Sequence, residues 1–394
     1  MDLQNRRAWF FRLIAITGAL VVAGVCVEVL LRVMSLDRPL IWQPHPQVGW
    51  WHVPGARAHW TEEGDGHIVV NSLSMRDEER TVAKPAGVFR IAVFGDSMTE
   101  GVQVDPDQTF TQVLQRKLRH RGLSVEVLNF GVNGYSPLQG YLLFDHVGKR
   151  FSPDLVLHAV FTDNDIADGD PQLAAGQVGA PFARMDSSSK LSLDYSRTEE
   201  SVSDYRRQPR YLIRRVSATY RMLAAMRRAN TAQVNFGAMM TSTGGIPRRY
   251  LVYADPVPPQ WAAAWNLYER ILATFAADVG SIGARFAVIS VPAGQVVDEK
   301  AWNRVLVEYP QMQDQTWQLL APEMRLAAIA AREGVPLIQP LDEFRKNIDG
   351  PPMFFGNVGH LTVKGHEVMA KVLEEYLIRS GWLPTLPSTS GAQR

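Results

Sequence analysis

The chain of 394 residues carries one cysteine, Cys26, so no disulfide can form within it and no cysteine-rich metal site is available. An excess of either charge is also missing: 41 Lys and Arg stand against 40 Asp and Glu, a formal net charge of +1. Without a long basic run there is no electrostatic footprint for nucleic acid, and that class of partner is excluded. Histidine and carboxylate residues are scattered without the close i, i+4 spacing of zinc sites, so no metal and no cofactor is expected. Neither an internal repeat nor a low-complexity tract interrupts the chain. What is present is ordinary core material, 46% hydrophobic and 21% charged, enough for one large or two ordinary domains.

Residues 9–36 are almost wholly apolar apart from Arg12, Glu28 and Arg32, and 13–27 carry no charge. That clean stretch is shorter than the roughly 20 residues of a membrane span, but Arg12 can snorkel outward and Val29 to Leu31 extend the far end. A cleaved signal peptide is the rival reading. No small-x-small cleavage site follows, so an uncleaved single-pass anchor over 9–36 is the expectation. Arg6, Arg7 and Arg12 precede the core and outweigh Arg32 and Arg38 beyond it, which orients residues 1–8 to the cytoplasm. The rest of the chain is then expected on the extracytoplasmic (periplasmic) side of the inner membrane.

Residues 37–86 form a segment rich in tryptophan and proline, read as turns and short strands next to the membrane. Trp42, Trp50, Trp51 and Trp60 suit packing or an interfacial belt better than a sugar platform. Beyond residue 86, short apolar runs at 89–94, 125–129, 155–160, 286–291 and 335–338 alternate with helical patterns at 110–120, 138–149, 262–279, 321–333 and 363–380. Five β units separated by helices predict an α/β fold, a doubly wound parallel five-stranded sheet, over 87–382. An interval at about 168–260 breaks the rhythm, showing no clear strand and an arginine-rich amphipathic stretch at 208–229, and is read as a helical insertion. Its basic face is most simply solvated; lipid headgroups or an anionic substrate are the second reading. Residues 383–394 read as a flexible tail.

At the end of the first of these strands stands IAVFGDSMTEGV, which places Ser97 in a turn at the carboxyl edge of the sheet. Ligands bind at that edge in open α/β sheets, so Ser97 is a candidate nucleophile as well as a candidate helix cap. Further along stand LNFGVNGYSP, FTDNDIAD and FFGNVGHLTVKGHEVMA, each at a predicted strand end or helix start. With these four blocks in this order the chain resembles the SGNH (GDSL-type) hydrolases, with the GDS and final histidine blocks the strongest matches.

The resemblance implies a serine esterase site. Ser97 would attack an ester carbonyl, His360 would take and return the proton, and the oxyanion would be held by the backbone N–H of Ser97, the backbone N–H of Gly134 and the side-chain amide of Asn164. Gly134 fits the glycine block better than Gly131. Asp165 is expected to orient its loop and Asp96 to cap or brace the turn. His366, six residues beyond His360 on a helix, is read as surface or packing. One position departs from the family. Its last block carries Asp three residues before the histidine, and Asn357 stands there instead. Asn357 would orient the imidazole without supplying charge, unless Asp349 or Asp342 replaces it from a neighbouring loop.

Together these readings predict a membrane-tethered esterase or O-acyltransferase acting on acetyl-like O-acyl groups of cell-envelope or exported glycans. The partners expected are that acylated glycan or a small ester, and the membrane through the N-terminal helix. The second class is a non-catalytic SGNH-like component of polysaccharide export that has lost the acid of its triad, with Asn357 as the feature in its favour.

Overall fold

A computed structural model describes residues 3–34, 40–174, 179–185, 191–224, 226, 245–356 and 359–384. The apolar N-terminus forms a single helix, α1 (Leu3–Val33). Within it, Arg7–Val33 has a mean hydropathy of 2.5 over its most apolar window, none of which is buried in the protein. It is long and apolar enough to cross a membrane. Two antiparallel hairpins follow, β1 (Trp42–His45) with β2 (Gly49–His52), and β3 (Arg57–Trp60) with β4 (Gly66–Val69).

The apolar runs then deliver the expected sheet. β5 (Phe89–Gly95) leads into α2 (Ser97–Glu100) and α3 (Phe110–His120), β6 (Val125–Gly131) into α4 (Pro137–His146), and β7 (Leu155–Phe161) into α5 (Asp165–Asp168). The insertion holds β8 (Phe182–Met185), β9 (Leu191–Asp194), α6 (Ser196–Arg207), α7 (Pro209–Val216) and α8, described over 218–224. After it come α9 (Pro259–Ser281), β10 (Arg285–Val291), α10 (Gly294–Val297), α11 (Glu299–Glu308), α12 (Ala321–Arg332), β11 (Leu337–Ile338), α13 (Leu341–Lys346) and α14 (Val363–Arg379).

Five strands pair in parallel in the order β11-β10-β7-β5-β6. Counted along the chain this is the flavodoxin-like order 2-1-3-4-5, whose connections change direction between β5 and β7 and open a crevice at their carboxyl ends. Side chains of β5 alternate between the two faces as a pleat requires. Ile91 and Val93 join the core beneath α3 and α14, while Ala92 and Phe94 join the one beneath α4 and α9. Both faces are covered, which is why these strands read as unbroken apolar runs.

Two expectations need correction. The insertion was expected to be helical without strands, yet β8 and β9 pair antiparallel; four-residue strands with little buried surface leave no apolar run to read. The amphipathic stretch at 208–229 is not one helix, since it breaks at Ser217 between α7 and α8, and its end lies outside the described residues. Besides short one-turn helices, α11 and α13 were not expected; other differences are at boundaries, with α4 ending at His146 before a separate 3-10 turn, Gly148–Phe151, and the last strand shortened to Leu337–Ile338.

Candidate active site

Ser97 is the first residue of α2. Asp96 is the N-cap of that helix, its side chain accepting from the Met98 N–H at 3.0 Å. Asp96 Oδ2 also lies 3.3 Å from Ser97 Oγ, within reach of its single hydroxyl hydrogen. The hydroxyl is nearly buried, and His360 Nε2 lies 2.8 Å from it. The two residues that the sequence blocks placed 263 positions apart therefore meet within one hydrogen bond.

The far side of the imidazole is met by a residue the sequence reading did not name. His360 Nδ1 is hydrogen-bonded to Glu63 Oε2, and the His360 backbone N–H donates to Glu63 Oε1 at 3.1 Å. Glu63 sits in the turn between β3 and β4, far outside the motif blocks. Asn357, expected as the orienting residue, lies outside the described residues, and the position assigned to it on the ring belongs to Glu63. Asp342 and Asp349 are exposed and make no described bond to His360. Nothing local announced Glu63; the polar run TEEGD offers a hairpin turn and no family signature.

Gly359 makes the contact possible. A Cβ there would stand 1.9 Å from Glu63 Oε1 and 2.2 Å from the Phe355 carbonyl oxygen, so only glycine lets the carboxylate reach both the ring and the backbone of His360. Burial pushes the Glu63 carboxyl up, but the hydrogen bond from His360, the attraction of its charge and the amide contact outweigh that and leave it below the ordinary range. Burial raises Asp96 to about 6, although the Met98 amide and His360 pull it down.

Gly134 and Asn164 follow the carboxyl ends of β6 and β7, the two neighbours of β5. Gly134 has φ +74°, the left-handed turn conformation that suits glycine. Gly131, the other glycine considered, is committed elsewhere: its N–H donates to Asn129 Oδ1 at 2.9 Å, and a Cβ there would meet the Glu100 amide at 2.3 Å. Asn164 stands at the N-cap position of α5 without a side-chain capping bond, and its Nδ2 donates to Asp168 Oδ2 at 2.7 Å; an amide NH₂ carries two hydrogens, so one bond does not exhaust it. Asp165 accepts from the Phe161 N–H at 2.9 Å and closes the turn after β7. Burial first, then the charge of Asp96, raises the Asp165 carboxyl well above its usual range.

His366 is a packing residue and not a surface one. Its Nδ1 accepts from the Phe110 N–H at 3.1 Å, its ring stacks on Phe110, and burial lowers it to about 3, so it stays neutral. Among the described residues no group of three or more His, Cys, Asp or Glu could hold a metal ion.

The N-terminal hairpins grip the site from outside the sheet. Glu100, buried at the end of α2, pairs with His52 Nε2 at 2.7 Å and accepts from Trp42 Nε1 at 3.2 Å and from the Asn133 N–H. Trp50 Nε1 donates to the Asn133 carbonyl at 3.0 Å, and the Tyr135 hydroxyl donates to the Trp50 carbonyl, so Gly134 is held between two anchored neighbours. The fully buried Arg76 donates to the carbonyls of Glu100 at 2.8 Å and His67 at 3.1 Å. Trp42, Trp50 and Trp51 thus pack and bond within the protein.

No curated protein matches the sequence. Solved structures similar to the chain include a lipase/acylhydrolase from Enterococcus faecalis, 14% identical with a TM-score of 0.38, covering 75% of this chain and 97% of its own. The acetyl xylan esterase AlAXEase is 12% identical with a TM-score of 0.38, covering 73% and 100%. A catalytic mutant of the acetylxylan esterase Axe2 from Geobacillus stearothermophilus is 11% identical with a TM-score of 0.39, covering 75% and 97%. The GDSL-like Lipase/Acylhydrolase family matches residues 93–368, well over half of the chain and every one of the four blocks, and the chain belongs to that family.

Proposed function

We propose that the chain is a membrane-tethered serine esterase or O-acyltransferase whose nucleophile is Ser97, with His360 as general base and Glu63 as the acid that orients and charges it. The observation that carries this reading is the continuous relay from Ser97 Oγ through His360 to Glu63. Ser97 Oγ attacks the ester carbonyl as its proton passes to His360 Nε2. Glu63 accepts the Nδ1 hydrogen, fixing the tautomer and stabilising the imidazolium that forms. The negative oxygen is received by the Ser97 and Gly134 amides and the Asn164 side chain, and one such donor is worth on the order of 10²-fold to 10³-fold in rate. As the tetrahedral species collapses, His360 protonates the departing alcohol and leaves an acyl-serine. Water then releases the acid, or a sugar hydroxyl takes the acyl group, through the same steps in reverse.

The substrate class proposed is an O-acyl, acetyl-like group on a cell-envelope or exported glycan. It follows from the family's ester chemistry and from α1, read as an anchor that holds the domain at the extracytoplasmic face of the inner membrane. The non-catalytic alternative drew its support from a missing acid, and Glu63 removes that ground. A fluorophosphonate probe tests the nucleophile. Wild type is expected to be labelled and Ser97→Ala not; equal labelling of both removes Ser97 from the role.

A further inference from the structure

Among the described residues, the insertion bonds to α1 around Glu28 and Arg32. Glu28, a carboxylate inside the apolar window, accepts hydrogen bonds from the backbone N–H groups of Ala218 at 2.6 Å and Thr219 at 2.9 Å, and from the hydroxyls of Ser217 at 3.2 Å and Thr219 at 2.9 Å. These amides belong to the first turn of α8, so Glu28 shares its capping with Ser217, whose Oγ accepts from the Tyr220 N–H at 3.1 Å. The carbonyls at the end of α7 are met in the same way. Arg32, paired with Glu28 at 2.7 Å, donates to the Val216 carbonyl, and Arg221 donates to those of Arg214 and Arg215 at 3.2 Å. The junction of the two insertion helices is therefore built on a charged pair of the membrane helix.

Glu28 lies five residues before the end of α1, about 7 Å at 1.5 Å per residue. Interfacial helices bury their apolar faces about 5–10 Å deep, which matches. The faces on either side of the junction fit that depth. Leu212, Ile213 and Val216 of α7 share one side and are exposed, Leu212 by 69% and Val216 by 60%, and Leu223 and Met226 beyond the break are more than half exposed. Arg210, Arg214 and Arg215 accompany them on α7. Apolar residues with a cationic border are what the boundary of an anionic bilayer accommodates.

We propose that α7 and α8 form a membrane-interface element, seated in the headgroup region of an anionic bilayer and held to α1 through Glu28 and Arg32. The proposal rests on the reading of α1 as a membrane span, and its test keeps the two apart.

The full chain, carrying Cys26→Ser and either Leu212→Cys or Val307→Cys labelled with an environment-sensitive fluorophore, is reconstituted into vesicles with and without phosphatidylglycerol. Val307, 74% exposed on α11, is the control. The label at 212 is expected to shift to the blue and to lose about half or more of its emission to a lipid quencher carried near the headgroup, more strongly with the anionic lipid. The label at 307 is expected to be indifferent. Identical behaviour at the two positions overturns the proposal, as does a 212 label shielded from both lipid and aqueous quenchers, which means that protein covers the face. Alkaline carbonate separates the readings: release of the chain overturns the membrane span as well, whereas a retained chain with an unquenched 212 label overturns the interfacial element alone.

Discussion

At the scale of single residues the central finding is Glu63. If it orients and charges His360, Glu63→Gln should lower kcat/KM on a short-chain acyl ester by up to about the 10⁴-fold lost in the serine-protease template when its aspartate becomes asparagine. Gly359→Ala should fall toward the same level, because the added methyl occupies the place of Glu63 Oε1. Asn357→Ala should retain activity within a few-fold. An active Glu63→Gln, or an Asn357→Ala as impaired as His360→Ala, would return the role to Asn357. Asp96 gives a test that reads stability instead. Its folded value, about 6 against 3.8, is raised, so the folded state holds this proton more tightly than the unfolded state. The stabilisation is complete below about pH 4 and lost as pH rises through about 6. Asp96→Asn keeps a helix cap and removes the buried charge, so it should unfold at higher denaturant than wild type at pH 7.5, by on the order of 2 kcal/mol, with the difference closing near pH 4. A constant difference across that range would place the buried charge elsewhere.

At the scale of elements, the hairpins of residues 41–69 carry Glu63 and clasp the loop of Gly134 directly through Trp50 and indirectly through the pair of His52 with Glu100 of α2. A chain starting at residue 40 should therefore be folded and active. One starting at residue 87 should lose activity to the level of His360→Ala even where circular dichroism shows the sheet intact. Full activity of the shorter chain would make Glu63 dispensable. How much was legible follows from the physics of each element. The sheet was readable because strands covered on both faces must be apolar throughout, and Ser97 and His360 because their blocks sit at strand and helix ends. Glu63 was not, since a turn residue that pairs across 297 positions leaves no periodicity and no neighbour to betray it. The β8–β9 hairpin escaped for a related reason, as its strands bury too little for their pattern to stand out.

At the scale of the whole molecule, topology is open to direct measurement. With Arg6, Arg7 and Arg12 in the first turns of α1, ahead of its uncharged stretch, protease added to intact spheroplasts should digest the bulk of the chain and leave a small protected N-terminal piece. Complete protection would put the domain in the cytoplasm and withdraw the envelope glycan as substrate, while a mature N-terminus beyond Val27 would show cleavage. The spacing of the relay also bears on when the protein can first act. Glu63 and Ser97 emerge from the ribosome early, but His360 follows Glu63 by 297 residues. At synthesis rates of about 5–20 residues per second that is a delay of roughly 15–60 s. α1 precedes all three residues along the chain and is available to the membrane throughout that interval, while the growing chain holds a serine with no base beside it. Under the proposed mechanism such a chain is placed before it is armed, and acyl groups met during its synthesis are safe from it until His360 has joined Ser97.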